Sequence, residues 1–230
     1  MKYTYLLINF FTVLIPLAWS FESKMSFYRK WKFLFPAIFI TAMVFLIWDY
    51  FKTKYGVWGF NPNYIIGIKF GNLPVEEVLF FITVPYSCMF IYESASYYLN
   101  KYNLAIKTKL PIFLLSFLFF TLSFFAWGRV YTWSVLLFSS IMLPVLVYVL
   151  SQRQLSLFFI SFLISLLPML VVNGLLTAIP VVIYNDSQNL GIRLGTIPVE
   201  DFLYCFILLS LNISLYEFFR GRSLNTSGSS

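Results

Sequence analysis

One stretch of this chain occurs twice, and the repeat restricts the fold more than any other feature. The first copy, GIKFGNLPVEEVLFFITVPYSCMFIYE, runs from Gly67 to Glu93; the second, GIRLGTIPVEDFLYCFILLSLNISLYE, runs from Gly191 to Glu217. The offset is 191 − 67 = 124 with no gap, so Pro74 falls on Pro198, Glu76 on Glu200, Glu77 on Asp201 and Glu93 on Glu217. Lys69 matches Arg193 in charge. Identities crowd into the front of the stretch, while the apolar run behind matches mostly in hydrophobicity. A fold can repeat without keeping two adjacent carboxylates in each copy. Their recurrence makes them the first candidates for chemistry.

The apolar run is one of many. Hydrophobic residues make up 60% of the chain and charged residues only 11%, against about 25% charged in soluble domains. Seven runs approach the ~17–25 residues that cross a ~30 Å hydrocarbon core as a helix: Tyr3–Ser20, Lys32–Phe51, Glu76–Leu99, Pro111–Trp127, Thr132–Leu150, Leu155–Thr177 and Val199–Phe219. The first has no convincing small-x-small cleavage site and reads as a span, not a leader. The predicted fold is an all-α membrane protein of about seven transmembrane helices. Shifting by 124 places span 1 near span 5, span 2 on span 6 and span 3 on span 7, leaving span 4 as a connector. Three spans leave the chain on the opposite face and the fourth returns it, so the halves enter in the same direction, a parallel repeat. The divisions are a first repeat over 1–110, a connecting helix over 111–130, a second repeat over 131–222 and a polar tail over 223–230, expected to be disordered.

The net charge of +7 follows from loop placement and gives no ground for a nucleic-acid partner. Lys24, Arg29, Lys30, Lys32, Lys101, Lys107, Lys109, Arg153, Arg220 and Arg222 lie on one side; Lys2, Lys52, Lys54, Lys69, Arg129 and Arg193 lie on the other. The positive-inside rule then puts the C-terminus in the cytoplasm and the N-terminus outside, and the expected location is the lipid bilayer of a bacterial inner membrane, as a multi-pass protein. Cys88 and Cys205 sit inside apolar runs and read as buried thiols. The chain has no His, which removes the commonest general base and metal ligand together. Carboxylates, Tyr, Lys or Arg must carry any chemistry, and no metal site is indicated.

Each repeated motif is a Gly-containing approach, Pro-Val, two acids and an apolar helix. Pro74 and Pro198 suit a helix's first turn, where a missing N–H costs nothing. Glu76, Glu77, Glu200 and Asp201 would then complement the macrodipole by ~0.3–1 kcal/mol each, which is a sufficient structural role. The catalytic reading rests on the doubling, on the two longer links (Lys52–Val75 and Ala178–Pro198) that can line a cavity as irregular backbone, and on the cost of intramembrane acids. A protonated carboxyl beside a carboxylate can deliver one proton and remove another. Asp49 and its counterpart Asn173 keep one position polar in both halves and are supporting candidates. Glu93 and Glu217 lie 17 residues beyond Glu76 and Glu200, or ~25 Å along a helix, and read as interfacial or helix-pairing groups. The seventh span has no Lys for a retinal Schiff base, no GxGxxG opens a helix after a strand, and no DDxxD pair is present.

The motifs NLPVEEVLFF and TIPVEDFLY, each followed by an apolar helix, resemble those of the membrane-integral lycopene cyclases, the small type unrelated to the flavoprotein cyclases. Asp49, Trp58 and GIKFG fit the first half of that pattern; Tyr184, Asn185 and GIRLG fit the second. The resemblance covers nearly the whole chain. It implies cyclisation of the linear ends of lycopene or a related carotenoid to β-rings, giving γ- or β-carotene. An acid protonates the terminal double bond, the chain closes on the cation, and a base takes a proton from the ring. It also implies Glu76, Glu77, Glu200 and Asp201 as the catalytic set, one glutamate as acid and another carboxylate as base. No cofactor is indicated by the residues, and a reduced nicotinamide or flavin needed without being consumed stays open. Two alternatives remain at this point: a carotenoid- or isoprenoid-binding protein without turnover, and a related hydratase or cyclase of other ring type. Oligomeric state is not legible.

Overall fold

The structure, a computed structural model, describes residues 1–106 and 108–227, the side chains of 222–227 excepted. Seven α-helices dominate: α1 (Thr4–Trp19), α2 (Trp31–Lys54), α3 (Val75–Tyr98), α4 (Leu110–Phe125), α5 (Val130–Val149), α6 (Gln152–Ala178) and α7 (Glu200–Ser227). Five of them, α2, α3, α5, α6 and α7, are long and apolar enough to cross a bilayer. The apolar helices α1 and α4 have 16 residues each, about 24 Å of helix. The outer surface is apolar as well: Phe39, Phe117 and Leu167 are 67–69% exposed. A soluble fold would hide such side chains, whereas lipid solvates them. This is an all-α membrane fold.

Two halves are visible in the packing. Helix α1 packs on α3 as α5 packs on α7, and the halves interlock through α2 against α7 and α3 against α6. Helix α4 packs on α5. The links ahead of α3 and α7 hold short strands: β1 (Trp58–Phe60), β2 (Lys69–Phe70) and β3 (Leu73–Pro74), then β4 (Val182–Tyr184), β5 (Arg193–Leu194) and β6 (Ile197–Pro198). Strands β1 and β4 pair antiparallel as Trp58↔Tyr184, Gly59↔Ile183 and Phe60↔Val182. Gly59 therefore faces its own counterpart (59 + 124 = 183), so the ribbon straddles the pseudo-two-fold axis. Two flanking bonds obey the same rule: Asn61 N–H donates to Val181 O, and Asn185 N–H donates to Val57 O, both at 2.9 Å.

The links are thus more ordered than the irregular backbone expected from sequence. Each approach to a motif is a two-residue hairpin, with Lys69↔Pro74 and Phe70↔Leu73 in one half and Arg193↔Pro198 and Leu194↔Ile197 in the other. Gly71 and Gly195 take φ of +63° and +62° at the first turn position, where a hairpin's twist demands positive φ. The prolines are correspondingly not first-turn helical residues. Pro74 is the extended N-cap of α3, with φ −70° and ψ 154°, and Pro198 ends β6 ahead of α7. Val75 and Val199 supply the N–H groups the prolines lack, donating to Ile68 O and Ile192 O.

The far end is tied by a crossed network. Glu93 pairs with Lys30 and Arg220 and accepts from Tyr216 Oη at 2.7 Å. Glu217 accepts from Tyr92 Oη at 2.8 Å and Gln154 Nε2 at 2.6 Å. Each half's tyrosine thus serves the other half's glutamate, the helix-pairing role expected of these acids. Helix α7 runs on to Ser227, through residues expected to be disordered, because each added residue of an existing helix gains a backbone bond without new nucleation. Lys107 and 228–230 lie outside the described residues.

Candidate active site

The two acids of each motif separate by role. Glu76, second in α3, accepts the Ile66 N–H on Oε1 at 2.6 Å. Its counterpart Glu200 accepts the Leu190 N–H at 2.8 Å and the Thr132 hydroxyl at 2.6 Å, both on Oε1. Both side chains are buried, and their Oε2 atoms have no partner among the described residues. Glu76 and Glu200 therefore fasten the link to the helix it precedes. Glu200 also lines a cavity of about 660 Å³ that Arg129 and Ser187 share.

The second acid of each pair turns into the bundle. Glu77 accepts from Tyr5 Oη at 2.6 Å and stands beside Asp49. Asp49 in turn accepts from Tyr204 Oη at 2.6 Å, a link to α7. In the second half Asp201 accepts from Tyr131 Oη at 2.6 Å, Tyr184 Oη at 3.0 Å and Asn173 Nδ2 at 3.2 Å. Asp49 and Asn173 thus occupy equivalent places beside the acids. The prolines shape the approach and form no part of this cluster.

Aromatic rings join the two acid groups. Trp58, from the strand on the axis, packs on Tyr131, Tyr184 and Tyr204 with centroids 5.1, 5.9 and 6.2 Å away. Burial first, and then Asp201 beside it, push the Tyr184 hydroxyl well above the ordinary phenol range, so it stays a donor at neutral pH. Lys52, 3% exposed, donates to Val130 O at 2.9 Å and to Ser134 Oγ. Its ammonium lies 5.5 and 5.6 Å from the Trp48 and Tyr131 ring centres. Sequence reading counted Lys52 as a loop charge and passed over Tyr5, Tyr131 and Tyr204.

Asp201, Asn173 and Tyr204 stand at one end of an apolar groove of about 600 Å³ between α1, α3, α6 and α7. On α3 the groove runs from Phe80 to Ile91, roughly 16 Å at 1.5 Å per residue. The free thiols Cys88 and Cys205 also line it. Carboxyl, phenol and amide groups at an apolar groove with π faces nearby can donate and accept protons and stabilise a cation.

No solved structure gives a significant match to this chain. Bifunctional lycopene cyclase/phytoene synthases are similar over short stretches. That of Aspergillus oryzae (strain ATCC 42149 / RIB 40) is 28% identical over 85 residues, 34% of this chain and 14% of the relative. That of Pyrenophora tritici-repentis (strain Pt-1C-BFP) is 32% identical over 87 residues, 35% of this chain and 15% of the relative. The matched stretches are therefore about a seventh of the length of these relatives. The family model described as lycopene cyclase matches residues 2–95 and 128–219. Those segments begin 128 − 2 = 126 residues apart and end 219 − 95 = 124 apart, so they are the two halves described above. With most of its length matched and both halves included, the chain belongs to the lycopene cyclase family.

Proposed function

We propose that this protein is a lycopene β-cyclase that forms β-rings by proton transfer alone, an isomerase. The observation that carries this reading is Asp201: a buried carboxyl, held by two phenols and an amide, at the head of a membrane-embedded apolar groove. A polyene end entering from the bilayer meets an acid at the end of an otherwise apolar path. A proton moves from the Asp201 carboxyl to the terminal double bond, a carbon–carbon bond closes the ring on the resulting cation, and a ring proton leaves to a carboxylate. Atoms and electrons balance without an oxidant or reductant.

In this reading Tyr131, Tyr184 and Asn173 orient Asp201, and the rings around Trp58 sit where a developing positive charge gains from π faces. Asp49 and Glu77 lie close by, held by Tyr204 and Tyr5. Glu76 and Glu200 shape the site through the links and transfer no proton. All seven helices span, and the acid end faces away from the cytoplasm, following the Lys/Arg bias between the two faces.

Expression in bacteria that accumulate lycopene, followed by chromatography of the pigments, tests the proposal. γ- or β-carotene is the expected product. Intact lycopene beside well-expressed, membrane-inserted protein would contradict it, and lycopene co-purifying unchanged would identify a binding protein.

A further inference from the structure

The two halves offer two acid positions, yet their surroundings differ at the places that decide access. On the Asp201 side, Val172 of α6 and Thr12 of α1 line the open groove. The counterpart of Val172 is Trp48 (172 − 124 = 48). Helices α1 and α5 correspond at a different offset: Tyr5 and Tyr131 make the same two bonds, through N–H to Tyr64 O and Gln188 O and through Oη to Glu77 and Asp201, so 131 − 5 = 126. The counterpart of Thr12 is therefore Phe138 (12 + 126 = 138). The Trp48 and Phe138 rings meet edge to face with centroids 5.0 Å apart, across the space that Val172 and Thr12 leave open. Phe45, in place of Met169, closes the same space from behind, 5.1 Å from the Tyr204 ring that also stacks on Trp48 at 5.2 Å.

The geometry points to a single end-group site per chain, in the groove that ends at Asp201, with the Glu77 side closed to substrate by Trp48 and Phe138. The inference rests on the cyclase reading and deepens it. The occupant is a linear apolar chain: along the groove the hydroxyls of Thr12 and Ser87 are turned onto backbone carbonyls, and the carboxyl and amide lie at one end. Asp49 then ties α2 to α7, and Glu77 ties α3 to α1, without touching substrate. A carotenoid with two identical ends must leave and re-enter reversed for its second ring.

The experiment transplants the plug. Val172→Trp and, from the opposite wall, Thr12→Phe are each expressed in lycopene-accumulating cells beside wild type and Phe138→Thr, with membrane levels measured. Each blocking variant is expected to lower ring formation at least tenfold at wild-type protein level. Phe138→Thr should stay within twofold of wild type. A blocking variant that cyclises like wild type, or a Phe138→Thr protein that falls as far as the blocked ones, overturns the single-site inference while leaving the cyclase reading intact. Wild type that leaves lycopene untouched overturns the cyclase reading instead. A second measurement needs no variant: alkylation of Cys88 and Cys205 by a membrane-permeant maleimide should slow at least threefold in vesicles loaded with lycopene. An unchanged rate also overturns the inference.

Discussion

Adjacent residues of the same chemistry carry different work here, and the difference is set by the direction each side chain leaves the helix. Glu200 and Asp201 are neighbours about 100° apart around α7; one grips the Leu190 N–H, the other meets Tyr131, Tyr184 and Asn173. Asp201→Asn removes the transferable proton and is expected to cut ring formation on the order of 100-fold or more, the scale of general acid catalysis, as read by product chromatography. Glu200→Gln keeps an oxygen for the same donors and should stay within tenfold. Glu200→Ala leaves the Leu190 N–H and Thr132 hydroxyl without this acceptor and should cost about 1–3 kcal/mol in a detergent unfolding titration. The acid pairs were legible in sequence because they repeat. The tyrosines that hold them were not. Tyr5 and Tyr131 correspond at 126, so a gapless shift of 124 lays Tyr5 on Arg129. Lys52 was hidden by its flanks, since Lys54 two residues on is an ordinary end-of-span charge.

Among the elements, the hairpins ahead of α3 and α7 set where the acids stand. Their glycines are not equivalent in surroundings. A Cβ at Gly71 would sit 3.0 Å from the Tyr50 ring, whereas one at Gly195 meets nothing within 4 Å. Both substitutions force an L residue to positive φ, which costs about 1–2 kcal/mol. Gly71→Ala should therefore lower the thermal midpoint of the purified protein more than Gly195→Ala does, and equal shifts would show that Tyr50 yields freely. The seven apolar runs were readable to within a few residues except at the end of α7, which runs eight residues past Phe219, and their pairing into halves was readable too. The strands were not: two- and three-residue strands carry no periodicity, and the β1–β4 pairing joins residues more than a hundred positions apart.

For the whole molecule, pseudo-symmetry holds the halves together at both ends. One end has the ribbon centred on Gly59 and Ile183, and the other has tyrosines crossing to the opposite half's glutamate. Tyr92→Phe and Tyr216→Phe each remove one such bond and should each destabilise by about 0.5–1.5 kcal/mol. Ring formation per folded molecule should be unchanged, because the crossed network lies a helix length from Asp201. A loss of turnover without loss of stability would show that this end communicates with the site. Sequence gave no warning that symmetry would break at the grooves, since Trp48 and Phe138 look like any aromatic residues in an apolar run. Only their meeting in space separates a closed side from an open one.

The most direct measurement reconstitutes purified wild type, Asp201→Asn and Glu200→Gln in liposomes containing lycopene and follows cyclised ends over time. The account predicts rings from wild type, at least 100-fold fewer from Asp201→Asn and rates within tenfold of wild type from Glu200→Gln. Ring formation that survives Asp201→Asn, or falls equally in both variants, would contradict the assignment of the proton transfer to Asp201.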